Sequence, residues 1–172
     1  MTQKIAWEKY LNINQKLLNL LLENPLEYYN KLEHYKTTYG YDFIKKIINI
    51  STHEIYCGNH LHALVMITGN LIFDVPDYKK IWGINKSLDD SFASKICKKL
   101  LDYGINYSQV DYHDRTPYQN ILLKDNYSSR YNNKTLKKTI QQFIINDLNK
   151  NFNFKTQNSN QFKKKVRFNT NN

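Results

Sequence analysis

The chain has 172 residues, of which 41% are hydrophobic, enough for one domain with a modest core. The formal net charge is +10, and half of it lies in residues 151–172, which contain no acidic residue and five basic ones: Lys155, Lys163, Lys164, Lys165 and Arg167. Two cysteines are too few for a disulfide framework, and no stretch approaches the roughly 20 apolar residues of a membrane span, so we expect an intracellular protein, cytoplasmic or nuclear, with no membrane segment.

The N-terminal part of the chain predicts three helices. Apolar residues recur at helical spacing from Ala6 to Glu23, and Pro25 suits the first turn of a second helix that ends near Gly40. The apolar stripe expected on this second helix is Leu26, Tyr29, Leu32 and Tyr35. A third helix is expected from Tyr41 to Ile50, with the apolar face Phe43, Ile44, Ile47 and Ile48.

The middle of the chain is less regular. Residues 51–60 are polar and predict a turn. The apolar run 61–68 fits either a strand or a short buried helix, because periodicity alone does not separate the two. The glycines and the proline that follow predict a long loop over residues 69–90.

The clearest helix runs from Ser91 to Tyr103. Asp90 or Ser91 is placed to cap its start, and Gly104 lies where a helix favours a left-handed residue after its end. A short apolar run over 118–123 then precedes a polar segment at 124–134. A last helix is expected over 136–148, and the Asn-rich, basic sequence after Lys150 predicts disorder.

Residues 96–122, ICKKLLDYGINYSQVDYHDRTPYQNIL, resemble the junction between two ankyrin repeats. The match consists of six residues: Leu100, Leu101, Gly104, Asp111, Thr116 and Pro117. The first three resemble the end of one repeat and the others the start of the next, and the spacing agrees with the family without a gap. Thr116 is expected to cap the following helix with its hydroxyl, and Pro117 suits its first position, where the missing N–H costs nothing.

A second and degenerate match lies upstream. Residues 57–64, CGNHLHAL, resemble the family's Thr-Pro-Leu-His-x-Ala motif. Asn59 stands in place of Thr and His60 in place of Pro, whereas Leu61, His62 and Ala63 fit the motif. The resemblance assigns His62 a structural hydrogen bond within the turn.

The chain also departs from the family pattern. The family repeat has about 33 residues, and the two motifs are farther apart, so the middle repeat needs an insertion, which matches 69–90. A shorter insertion in the last repeat matches 124–134. In the second motif four residues differ from the pattern: Asp114 replaces Gly, and Tyr118, Gln119 and Ile121 replace Leu, His and Ala.

The resemblance implies an all-α fold with three parts. Residues 1–40 form an N-terminal helical cap, residues 41–150 form an ankyrin-like stack of helix–turn–helix repeats, and residues 151–172 form a disordered basic tail. The implied function is a protein–protein interaction module, an adaptor or inhibitor that is not an enzyme and needs no cofactor. The competing interpretation is an unrelated helical bundle whose helix–turn–helix carries Gly and Thr-Pro.

Other reactive side chains have simpler explanations. His53, Cys57, His60 and His62 lie close enough in sequence to suggest zinc, but no second ligand pair is evident and His62 already has the turn role. Cys97 lies on the apolar face of its helix and is expected to be buried. We therefore predict neither a metal site nor a catalytic residue.

The tail contains a short motif of its own. Lys165-Val166-Arg167-Phe168 resembles the basic-Val-x-Phe motif that docks on type-1 protein phosphatase, which implies that Val166 and Phe168 enter apolar pockets while Lys165 meets an acidic surface. The same lysine run also fits a nuclear-localisation or nucleic-acid patch, or a solubilising tail. Since the body is only mildly basic, a protein partner is preferred to nucleic acid.

Overall fold

The computed structural model describes residues 2–51, 58–68, 88–127 and 134–150. These residues form seven helices: α1 Thr2–Glu23, α2 Pro25–Tyr39, α3 Tyr41–Ile48, α4 His60–Ile67, α5 Asp90–Asp102, α6 Pro117–Tyr127 and α7 at 134–150. No β-strand occurs in these ranges, so the predicted all-α class is confirmed. None of these helices is long and apolar enough to cross a bilayer.

The N-terminal helices are separated by local signals. The Asn24 side chain accepts a hydrogen bond from the backbone N–H of Glu27 at 3.2 Å, and Pro25 is the first residue of α2. This helix ends at Gly40, whose φ of +89° is a conformation that residues with a Cβ rarely adopt. The chain can therefore turn sharply into α3 one residue later.

Residues 61–67 of the ambiguous apolar run belong to helix α4, and Thr68 follows it as the C-cap. Asn59 caps the helix, because its side-chain oxygen accepts a hydrogen bond from the backbone N–H of Leu61 at 3.1 Å. Every residue of α4 except Met66 is buried. A helix buried on nearly all sides has no polar face, which explains why the sequence pattern alone did not identify it.

The structure corrects the expected cap of α5. The helix begins at Asp90 and is capped by Asp89, whose carboxylate accepts a backbone N–H of the first turn at 3.0 Å, so the prediction of Asp90 or Ser91 was wrong. Asp90 instead accepts backbone hydrogen bonds from Thr135 at 2.8 Å and Leu136 at 2.9 Å. Its carboxylate therefore satisfies the free N–H groups at the start of α7, a distant part of the chain.

Two further boundaries differ from the prediction. The segment 124–134 was expected to be a polar loop, but α6 continues to Tyr127 and α7 begins at 134. The third helix ends at Ile48 and not at Ile50. Residues 128–133, most of the predicted insertion at 69–90 and the whole tail 151–172 lie outside the described residues.

The core lies where α1 contacts α2, α3 and α4, and where α4 contacts α5 and α6. Fully buried side chains from four of these helices meet there: Leu17, Leu21, Leu32, Ile44, Ile47, Leu61 and Leu64. The expected stripe of α2 is partly wrong, because Leu26 is 60% exposed whereas Tyr28, outside the stripe, is fully buried. Tyr28 is buried because its hydroxyl has a polar partner inside the core, described below.

Replacing Gly104 with Ala is expected to lower the free energy of unfolding by about 1–2 kcal/mol. Gly104 follows α5 with a φ of +76°, and an added Cβ would lie 2.5 Å from the Tyr41 hydroxyl oxygen. In a Tyr41→Phe background the same substitution should cost less, because the clashing hydroxyl is gone and the backbone strain and a tight contact with the flexible Lys45 side chain, at 3.2 Å, remain. Urea unfolding of the four proteins measures this, and equal costs in both backgrounds would show that Tyr41 does not matter.

Candidate interaction surface

Helices α4 and α6 begin with the same pair of reciprocal hydrogen bonds. At α4 the Asn59 side chain accepts from the His62 backbone N–H at 3.4 Å, and the His62 ring nitrogen Nδ1 accepts from the Asn59 N–H at 3.2 Å. At α6 the Thr116 hydroxyl accepts from the Gln119 N–H at 3.3 Å, and Gln119 Oε1 accepts from the Thr116 N–H at 2.7 Å. Different side chains thus make one capping pattern at two places.

The His62 ring also connects the two helix starts. Its Nε2 lies 3.1 Å from the carbonyl oxygen of Arg115, the residue just before Thr116. In one neutral tautomer Nδ1 accepts from the Asn59 N–H and Nε2–H donates to the Arg115 carbonyl oxygen, while Nδ1 also lies 2.9 Å from Asn59 Oδ1. Burial lowers the pKa of His62, which favours this neutral form. The ring therefore connects the start of α4 to the turn that precedes α6.

Two asparagine side chains connect the turns that follow α3 and α5 with the start of α4. Asn49, just after α3, donates from Nδ2 to the Gly104 carbonyl oxygen at 3.1 Å and accepts from the Asn106 backbone N–H at 2.5 Å. The Asn59 amide donates to the Asn106 carbonyl oxygen at 2.8 Å. The turn after α3, the start of α4 and the turn after α5 therefore share one hydrogen-bond network.

The loop between α5 and α6 is braced by Asp111. Its Oδ1 accepts backbone hydrogen bonds from His113 at 2.8 Å and Arg115 at 3.0 Å, and its Oδ2 accepts from Asn120 Nδ2 at 2.9 Å. Burial would raise the pKa of this carboxyl, but the hydrogen bonds from Asn120, Arg115 and His113 outweigh it and hold the pKa below its usual value. Asp114 takes a φ of +56° in the same turn. These hydrogen bonds give the loop a defined backbone conformation.

Two apolar side chains project from this braced loop. Tyr112 is 77% exposed, and Val110 is 47% exposed. The Tyr112 ring makes a T-shaped contact with the His113 ring, with centroids 5.5 Å apart. An exposed aromatic on a backbone that is already ordered is a typical protein contact, because binding loses little conformational entropy.

A buried polar network ties the N-terminal helices to α4. Asn14 of α1 donates from Nδ2 to His60 Nε2 at 2.9 Å and to the Ile47 carbonyl oxygen at 2.8 Å. His60 Nδ1–H then donates to the Tyr28 hydroxyl oxygen of α2 at 2.8 Å. All three side chains are fully buried, and burial lowers the pKa of His60 to about 3. The ring is therefore neutral and acts as a connector.

The residues expected from the sequence fall into three groups. The following are buried in the core or at helix starts around the junction: Leu61, His62, Ala63, Leu100, Leu101 and Pro117. Gly104, Asp111 and Thr116 lie in the turns described above. The tail residues Lys165, Val166 and Phe168 lie outside the described residues. The sequence analysis missed Tyr112, Val110 and Tyr28, although an aromatic beside a turn-forming Asp is a usable signal for Tyr112.

The other reactive side chains are the possible metal ligands and Cys97. Among the described residues, no three His, Cys, Asp or Glu side chains converge on a point where a metal could bind. Both rings of the suggested zinc cluster that are described, His60 and His62, are used by the hydrogen bonds above, and His53 and Cys57 lie outside the described residues. Cys97 is buried, which raises the pKa of its thiol to about 12.

Comparison of the chain with protein-family models, with curated proteins and with solved structures gave no match.

Proposed function

We propose that this chain is an ankyrin-repeat protein that binds another protein and works as an adaptor or inhibitor, not as an enzyme. The observation that carries the proposal is the repeated reciprocal cap at Asn59–His62 and Thr116–Gln119, with the His62 ring reaching the turn before Thr116. Capping boxes occur in many helical proteins, so it is the link between the two caps through the buried His62 ring that favours a repeat over an unrelated bundle.

The departures from the family pattern support the same proposal. Asp114 stands where the family has Gly, and it adopts the positive φ of +56° that such a position calls for. Asp is one of the few residues that tolerate this conformation. Gln119 replaces His and still accepts the N–H of the residue three positions earlier. These substitutions therefore preserve the geometry that the family residues would provide.

The N-terminal helices fit the role of a cap. A terminal repeat needs a neighbour that covers its apolar face. Here α1 packs against α4, and the Asn14–His60–Tyr28 network joins α1 and α2 to α4 through specific hydrogen bonds. His60, which replaces the family's proline at the first helical position, is the residue that makes this network.

The surface that we assign to partner binding is the braced loop 106–116 with Tyr112 and Val110 at its tip. Tyrosine is enriched among residues that dominate binding energy, and this loop presents it without an intramolecular partner of comparable size. The loop is held from below by Asp111 and by the His62–Arg115 hydrogen bond.

The test is a quantitative pull-down from cell lysate with the full-length chain as bait. Replacing Tyr112 and Val110 with Ser should reduce capture of the specific partner about tenfold or more without changing thermal stability. A matched bait with Val166→Ala and Phe168→Ala should retain that partner. If the loop variant captures the same proteins as the wild type, the assignment of this surface is wrong.

The same experiment examines the two other functions that the tail suggests. Loss of type-1 protein phosphatase with the Val166→Ala, Phe168→Ala bait would favour a phosphatase-targeting subunit. Nucleic-acid binding through the basic tail predicts that captured RNA or DNA falls steeply as salt rises. Capture that is flat in salt would argue against nucleic acid.

A further inference from the structure

A basic groove lies away from the loop surface, between α2, α3 and α5. Its volume is about 620 Å³, within the range of ligand-binding clefts. Four lysines line it: Lys36, Lys95, Lys98 and Lys99. Two carboxylates, Glu33 and Asp102, lie in the same groove. The lining therefore has an excess of positive charge.

The floor of the groove is ordered before any ligand arrives. Lys99 is only 13% exposed, its Nζ lies 3.6 Å from the centroid of the Tyr29 ring, and it donates to Glu33 Oε2 at 3.0 Å. The Tyr103 hydroxyl donates to the same carboxylate oxygen. The hydrogen bonds from Tyr103 and Lys99 lower the pKa of Glu33 to about 2. The Glu33 side chain, although 49% exposed, is thus held in place by Tyr103 and Lys99, and Lys99 balances its charge.

The remaining cations face solvent. Lys95 and Lys98 are exposed and form no ion pair with another described residue. Lys36, on α2, lies 3.6 Å from Glu33 Oε1. The Tyr41 ring, 44% exposed, lines the same groove. The groove therefore offers two ammonium groups without an ion pair, together with an exposed aromatic ring.

We propose that this groove binds an acidic segment of a partner protein, with its Asp or Glu side chains against Lys95 and Lys98 and an apolar side chain on Tyr41. Opposite charge attracts such a segment and orients it, and the aromatic ring adds contact area. The proposal rests on the proposed function only in taking a protein as the partner, since it concerns a different surface.

The two carboxylates decide between a peptide and a nucleic acid. A nucleic acid carries a phosphate at every step, so part of its backbone would lie against Asp102 and be repelled. The acidic residues of a peptide need not be evenly spaced, so a neutral or basic side chain can lie opposite Asp102. The groove is therefore better matched to a protein segment than to a phosphodiester chain.

The experiment uses the full-length chain and a fluorescein-labelled poly-glutamate peptide as the probe. Lys95→Glu with Lys98→Glu is the groove variant, and Lys16→Glu with Lys134→Glu is the matched variant, since all four lysines are exposed on helices. At low salt we expect the groove variant to weaken binding about tenfold or more and the matched variant by less than about threefold. Circular dichroism verifies that both variants stay folded.

Backbone amide shifts locate the probe on the protein, which is necessary because the tail also carries lysines. Shifts in α5 and α2 support the proposal. Shifts confined to 151–172, or equal weakening by the two double variants, would overturn it, and so would tighter binding of poly-uridine RNA than of poly-glutamate in the groove. If the groove fails while the Tyr112 and Val110 substitutions still release the partner, the proposed function stands without this site.

Discussion

Acidification from pH 7 to pH 5 is expected to lower the free energy of unfolding by about 2 kcal/mol through His60 alone. The buried ring has a pKa of about 3 in the folded protein because burial disfavours its charged form. In the unfolded chain the same ring titrates near pH 6.5. The unfolded state therefore takes up more protons as the pH falls, so this contribution is complete above about pH 6.5 and is lost progressively down to about pH 3.

Two variants test whether the buried His60 ring causes this pH dependence. His60→Gln removes the titrating group, so its stability should fall less between pH 7 and pH 5. Part of the slope should remain, because burial also lowers the pKa of His62. Tyr28→Phe removes the hydroxyl but leaves His60 buried, so it should keep the wild-type slope at a lower overall stability. Urea unfolding at several pH values measures the three slopes, and an unchanged slope in His60→Gln would contradict the assignment.

Replacing His62 with Ala is expected to lower the free energy of unfolding by about 2–4 kcal/mol. The substitution leaves a cavity and removes the acceptor for the Asn59 N–H and the donor to the Arg115 carbonyl oxygen. Because the ring connects the start of α4 to the turn before α6, amide hydrogen exchange should become faster in α6 as well as in α4. This spread distinguishes a connecting residue from one that merely fills a local space.

The matched control for this prediction is His113→Ala. His113 is exposed and its ring makes a T-shaped contact with the Tyr112 ring, so the variant should change stability by less than about 0.5 kcal/mol. If His62→Ala accelerates amide hydrogen exchange in α4 alone, α4 and α6 are not coupled through the ring. That result would remove the main support for the ankyrin proposal.

Some features of this molecule follow from residues close together in sequence. Periodic apolar residues indicate α5 and α7, because a helix repeats its buried face every three to four positions. Pro25 and Gly40 bound α2, since one fits a first turn and the other adopts a positive φ. The tight turn from Gly104 to Thr116 likewise resembles a known junction over a short, uninterrupted string. In each case the physical constraint acts within a few residues.

Other features depend on partners that are distant in the chain. Asp89 caps α5, whereas the Asp90 carboxylate accepts a backbone hydrogen bond at the start of α7. No residue near Asp90 in sequence indicates this distant contact. His60 looks like a departure from a proline position until Asn14 and Tyr28 are seen on either side of its ring.

The sequence by itself therefore determined the helical class, several helix ends and the residues of one turn. Only the tertiary structure decided that 61–67 is helical, which polar groups are buried in pairs, and that Tyr112 projects from a braced loop. The physical reason is that backbone propensity and capping are short-range, whereas burial and hydrogen-bond satisfaction depend on what packing brings alongside.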